Sequence, residues 1–129
     1  MRTAKITLAG HERTLAFSAR VITAATDEYG SLQGFFDALQ SKDQGESFRA
    51  VIWALSRMMD AGARYDRLQG LEPPPPMDVD ELLDLCDFQE LSGISSKILE
   101  TITAGSAREV EAIPPKNGKA TRGKKTAAP

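Results

Sequence analysis

Among its 129 residues the chain has one cysteine, Cys86, and one histidine, His11. A single thiol cannot close an internal disulfide, which suits a reducing cytoplasm. No apolar run approaches ~18 residues, so no transmembrane helix and no membrane partner are expected. The opening MRTAKITLAGHERT has one short apolar run followed at once by charge, which is not a secretory signal pattern. Also missing are a glycine-rich phosphate loop, zinc-type cysteine spacing and a Ser-His-Asp pattern. A thiol–imidazole pair would have to use Cys86 and His11. Cys86 follows Leu85 in a leucine-rich stretch, and His11 falls in a turn, which points to a structural thiol and a surface imidazole. The acidic run Asp78-Val79-Asp80-Glu81, with Asp84 and Asp87, fails as a calcium loop. Leu82 and Leu83 stand where such a loop needs an oxygen ligand and a glycine. No catalytic, cofactor-binding or metal-binding residue is nominated, and the expectation is a protein that is not an enzyme and uses no cofactor.

What is present is an ordinary globular composition of a length that favours one domain. The 16 basic and 18 acidic residues nearly cancel, but they are unevenly placed. Lys116, Lys119, Arg122, Lys124 and Lys125 follow the last acid, Glu111. Removing those five leaves eleven basic against eighteen acidic residues, so the body carries about −7 and the end of the chain is basic.

Ser47 to Gly62, SFRAVIWALSRMMDAG, carries the strongest pattern. Phe48, Val51, Ile52, Leu55, Met58 and Met59 form a helical apolar stripe, and Trp53, Ala50 and Ala54 widen it. Burying those six residues would supply ~10–15 kcal/mol gross, most of it offset by the entropy of ordering the helix, so this helix needs partners. Before it, Thr3 to Phe17 reads as a β-hairpin, with Ile6, Leu8, Leu15 and Phe17 alternating and Gly10-His11-Glu12 as its turn. Ser18 caps a helix over Ala19–Tyr29 that ends at Gly30, with Val21, Ile22, Ala25 and Tyr29 inward. Ser31 opens a second helix carrying Leu32, Phe35, Phe36 and Leu39. Lys42 to Glu46 is a polar loop, and Ser47 caps the central helix, which runs to Gly62 or onward to Gly70. Pro73 to Pro76 favours an extended polyproline spacer of about 12 Å. Asp78 then caps a short helix with Val79, Leu82, Leu83, Leu85 and Cys86. A last helix spans Gln89 to Ala104 with Leu91, Ile94, Ile98, Leu99 and Ile102 inward.

The expected fold is α+β and mostly α: an N-terminal hairpin on a small bundle of about five helices. The domain is residues 1–104, with a Pro-rich spacer at 72–77, and 105–129 is a disordered basic tail. Five phosphate contacts from that tail would give a salt slope near −4.5. The tail has no aromatic residue to stack on bases, so no specific nucleic-acid partner is expected.

The order of these elements resembles the tail assembly chaperones of long-tailed bacteriophages and related prophage or gene-transfer-agent particles. The resemblance rests on the hairpin Lys5 to Phe17 and the helix ending Asp27-Glu28-Tyr29-Gly30-Ser31-Leu32, which leads into Phe35-Phe36-Asp37-Ala38-Leu39. It continues through the Phe48–Met59 helix and Asp78-Val79-Asp80-Glu81-Leu82-Leu83, covering roughly residues 3–105. The proline run and the arm Ala63 to Gln69 depart from it. The resemblance implies a non-enzymatic factor in the host bacterial cytoplasm. Such a factor binds the tape measure protein, helps recruit tail tube protein and is absent from the mature virion. It also implies possible self-association, and a frameshifted longer product with a slippery site such as Gly118-Lys119 or Lys124-Lys125. An exposed apolar stripe on a tape measure helix would dock in a groove, for which Phe35, Phe36, Trp53 and Met58 are the partner-binding candidates. The alternatives are a helical structural or adaptor component of a phage particle, and a nucleic-acid-binding regulator using the basic tail.

Overall fold

The computed structural model describes residues 3–112, with side chains as far as residue 103. The fold is α+β and predominantly helical. It comprises an antiparallel hairpin, β1 (Thr3–Leu8) and β2 (His11–Ala16), then α1 (Ala19–Tyr29), α2 (Leu32–Leu39), α3 (Gln44–Leu68), α4 (Val79–Leu85) and α5 (Phe88–Ala112). The basic residues 116–125 lie outside the described part.

The hairpin turns one residue earlier than its sequence suggests. Leu8 pairs with His11, which leaves Ala9-Gly10 as a two-residue loop. Both loop residues have positive φ, 53° and 77°, the backbone of the tight turn that matches the twist of flanking strands. His11 and Glu12 therefore belong to the strand, because pairing satisfies their backbone groups in the ladder.

α1 occupies its expected span and Gly30 closes it, but Ser18 sits at the cap position without a side-chain hydrogen bond. At α2, Ser31 does cap, its hydroxyl accepting from the Gly34 amide at 2.9 Å. The central helix α3 begins earlier than Ser47. Asp43 is its cap, accepting from the Gly45 and Glu46 amides, so most of the expected polar loop is the first helical turn. A carboxylate offers the free N–H groups an anionic acceptor and complements the helix dipole there, which favours Asp43 as the cap. Ser47 instead donates to the Leu39 carbonyl at 2.8 Å and ties α3 to α2.

Gly62 does not end α3. It is a buried mid-helix residue, and a Cβ there would overlap the Thr14 carbonyl. The missing side chain lets α3 press its backbone against β2. Arg13, Thr14, Leu15 and Ala16 are consequently all buried, on both faces of the strand.

The core gathers Leu15, Val21, Phe35, Val51, Ile52, Leu55 and Met58 with Leu82 and Ile98. α5 reaches from α3 to β1 and contributes Leu91, Ile94, Ile98 and Ile102, so the last helix is docked on the body. The helix continues to Ala112, past the Ala104 at which its sequence pattern ends.

The proline run is a bound strap, not a free spacer. Arg13 Nη1 donates to the Pro75 carbonyl at 2.7 Å and Nε to the Leu8 carbonyl at 3.3 Å. Ser56 Oγ donates to the Met77 carbonyl at 3.1 Å. Extended proline backbone has free carbonyls that need donors, and α3 and β2 supply them. α4 follows with a full capping box between Asp78 and Glu81.

Candidate partner-binding cleft

α3 presents Trp53 one step off its buried stripe, which leaves the indole half-buried at the edge of the core. Two rings hold it from behind. Tyr29 at the end of α1 meets it edge-on with centroids 5.4 Å apart, and Phe35 of α2 does the same at 5.6 Å. Tyr29 and Phe35 also meet each other at 5.5 Å. The Arg57 guanidinium, one turn along α3, lies 5.5 Å from the indole centroid. That cation–π contact contributes ~0.5–1 kcal/mol at an exposed site. Ring packing and guanidinium together fix the orientation of Trp53.

Beyond the indole, α3 and the strap enclose an open cleft of about 570 Å3. Trp53, Met77 and Val79 give it apolar surface. Ser56, Pro76 and the charged residues Arg57, Asp60, Asp78 and Asp80 line the rest. The strap's hold on Ser56, together with the Met77 amide donating to Met59 Sδ at 3.3 Å, sets the width of the opening. Apolar surface with more acids than bases around it fits a helix whose apolar stripe is flanked by basic residues.

The four candidate residues separate here. Phe35 and Met58 are both 0 % exposed and offer a partner no surface. Their positions on the inward faces of α2 and α3 make them core, which corrects their place among the groove residues. Phe36 is half-buried, with its ring 5.9 Å from Phe35. Trp53 is the candidate that lines the cleft. The neighbours that complete it, Arg57, Met77 and Val79, were not foreseen, because the strap brings the latter two to α3 from more than twenty residues away.

α4 buries little of its apolar surface. Of its leucines only Leu82 is buried; Leu83 is 53 % and Leu85 39 % exposed. Cys86 is half-buried at the end of the helix. Burial, then the Glu90 and Asp87 carboxylates, push its thiol above its ordinary pKa, the opposite of what a nucleophilic thiolate needs. Tyr29 is raised in the same way, by burial first and then by Glu28 and Glu46, with Arg49 opposing. His11 is exposed on β2. Among the described residues no group of three or more His, Cys, Asp or Glu is placed to hold a metal ion, and no helix is long and apolar enough to cross a membrane.

Compared with protein-family models, curated proteins and solved structures, the chain matches none of them.

Proposed function

We propose that this chain is a non-catalytic tail assembly chaperone of a phage or prophage. It shields an amphipathic helical segment of the tape measure protein in the host cytoplasm before tail tube protein covers that segment. The observation that carries the reading is the Trp53 cleft. It is an open groove with apolar surface from Trp53, Met77 and Val79 and three carboxylates against one guanidinium in its lining, on a hairpin-and-helix body of the kind the resemblance implies. An apolar helix stripe left in water would aggregate, and a helix laid in such a groove buries that stripe without any chemistry. A transient shield is released when the tube assembles, so the chaperone is absent from the mature virion.

Co-expression with the tape measure protein tests this reading. The tape measure protein is expected to become soluble and to co-purify with the chain. Trp53 is the only tryptophan, so a tape measure segment seated in the cleft shifts its fluorescence directly. Val79→Glu, which puts a charge on the cleft wall, is expected to abolish both the shift and co-purification. Unchanged tape measure solubility in the presence of the chain refutes the proposal. Mass spectrometry that finds the chain in purified particles would make it a structural component instead.

A further inference from the structure

The C-terminal end of α3 carries a groove whose chemistry is the reverse of the Trp53 cleft. Its volume is about 500 Å3, and Arg64, Tyr65, Arg67 and Leu68 line it together with Arg20 from the start of α1. Among the described residues no acid lines it. Asp66, the nearest acid in sequence, instead lines a small cavity with Arg13, Pro73 and Pro74 on the strap side of α3. Among the described residues Arg20 and Arg67 have no ion-pair partner, and Arg64 has only Asp60, at 2.9 Å in an exposed pair. Such a pair is weak, so Arg64 is free to exchange Asp60 for another carboxylate.

Exposed apolar surface accompanies these charges. Leu68 is 84 % exposed, and Leu71, just past the helix, is 56 % exposed. This end of α3 is closed and not frayed: Gly70 turns the chain with φ 83°, and the Leu71 amide donates to the Asp66 carbonyl at 2.9 Å. Two leucines held in water beside three guanidiniums make a surface that a partner would cover. A free phosphate would meet the guanidiniums and leave both leucines in water. A long polyanion or an anionic membrane would also lie against the body, which carries about −7 and repels it within a Debye length of ~8 Å. A short acidic segment of a protein meets neither objection.

We propose that this groove binds an acidic, leucine-bearing segment of a partner protein. The segment's carboxylates take Arg20, Arg64 and Arg67, whose guanidinium forks suit carboxylates bidentately, and its leucines pack on Tyr65 and Leu68. Apolar burial supplies attraction, and charge selects the partner. The cleft holds three carboxylates and one guanidinium, and the groove three guanidiniums and no acid, so the two sites select partners of opposite charge. They share no lining residue, and filling one leaves the other open. The chain is thereby an adaptor with two ports. The proposal rests on the groove alone and holds whatever occupies the cleft.

Fluorescence anisotropy on the full chain tests it, with a fluorescein-labelled peptide of three Glu-Leu-Leu-Asp repeats as the probe. In about 50 mM salt the peptide is expected to bind with a Kd of about 10–100 µM, and about ten-fold more weakly in about 300 mM salt. Arg20→Glu combined with Arg67→Glu is expected to weaken binding by about ten-fold or more, with an unchanged circular dichroism spectrum. Lys42→Glu combined with Arg49→Glu makes the same charge change at exposed positions near the other end of α3 and is expected to stay within about two-fold of wild type. Leu68→Ser, at a side chain that touches little of the body, is expected to weaken binding by about five-fold, and a probe with serine for each leucine by about ten-fold. A wild-type chain with no binding below about 1 mM, equal losses in the two charge variants, or full binding by Leu68→Ser or by the serine probe overturns the proposal. Binding that survives the Arg20 and Arg67 reversal also overturns it, because it puts the probe on the basic residues 116–125. So does displacement of the probe by about 1 mM inorganic phosphate, which would make the groove a phosphate site.

Discussion

Arg13 carries more of this fold than its place in a short strand suggests. It is 6 % exposed, and its partners are two carbonyls and the Met59 thioether, 3.6 Å from Nη1. Charged donors to carbonyls contribute ~1.5–3 kcal/mol, and removing this one strands the Leu8 and Pro75 carbonyls. Arg13→Ala is therefore expected to lower stability by about 3 kcal/mol in a denaturant titration. The strap should loosen with it, exposing Met77. Arg13→Lys should recover only part of the loss, since one ammonium cannot span both carbonyls as the guanidinium fork does.

Two glycines make a sharper residue-scale test, because the same substitution should act with opposite sign. In an open helix position Gly→Ala stabilises by ~1 kcal/mol. Gly93 is such a position, with nothing within 4 Å of a built Cβ, and Gly93→Ala is expected to raise the melting temperature. At Gly62 the Cβ would meet the Thr14 carbonyl, backbone that cannot swing aside. Gly62→Ala is expected to destabilise by ~3 kcal/mol or more despite the better helix propensity. Equal and positive shifts for the two variants would refute the α3–β2 packing.

At the scale of elements, the hairpin turn is where local chemistry is least well served. Ala9 holds φ 53°, a left-handed conformation costing an alanine roughly 1–2 kcal/mol. Asn-Gly is the preferred pair for this turn. Ala9→Asn should thus stabilise by about 1 kcal/mol, or roughly 4–8 °C in melting temperature for a domain near 100 residues. A lowered melting temperature would mean that the loop is not Ala9-Gly10. The other element boundaries follow capping chemistry in the same way. Asp78-x-x-Glu81 is legible as a capping box, and the structure forms it. Asp43 and Ser47 both lie before the apolar stripe and both can cap. The carboxylate of Asp43 takes the Gly45 and Glu46 amides, and Ser47 is drawn instead to the Leu39 carbonyl.

For the whole molecule, folding changes two weak acids together. Tyr29 and Cys86 both have raised pKa values, with burial as the largest cause in each. The folded chain then keeps protons that the unfolded chain releases. The stability this contributes is complete below the pH where the unfolded groups ionise, and it falls as pH rises through about 9 and beyond. Melting temperatures measured between about pH 8 and about pH 10.5 should decline, and Cys86→Ser should remove part of the slope. A flat profile would mean that neither group is shielded as described.

The sequence by itself determined the hairpin, the number and order of the helices and most of the buried stripe, because these follow from local periodicity and caps. Val51, Ile52, Leu55 and Met59 point inward wherever α3 lies, since a 3.6-residue repeat puts them on one face. Only the tertiary structure decided what each face meets. Phe35 and Met58 became core and Trp53 the wall of a cleft. No local rule says that the strap lies across α3, that Arg13 binds it, or that Gly62 admits a strand. Those outcomes depend on contacts between residues far apart in the chain, whose chemistry appears only once α3 has brought them together.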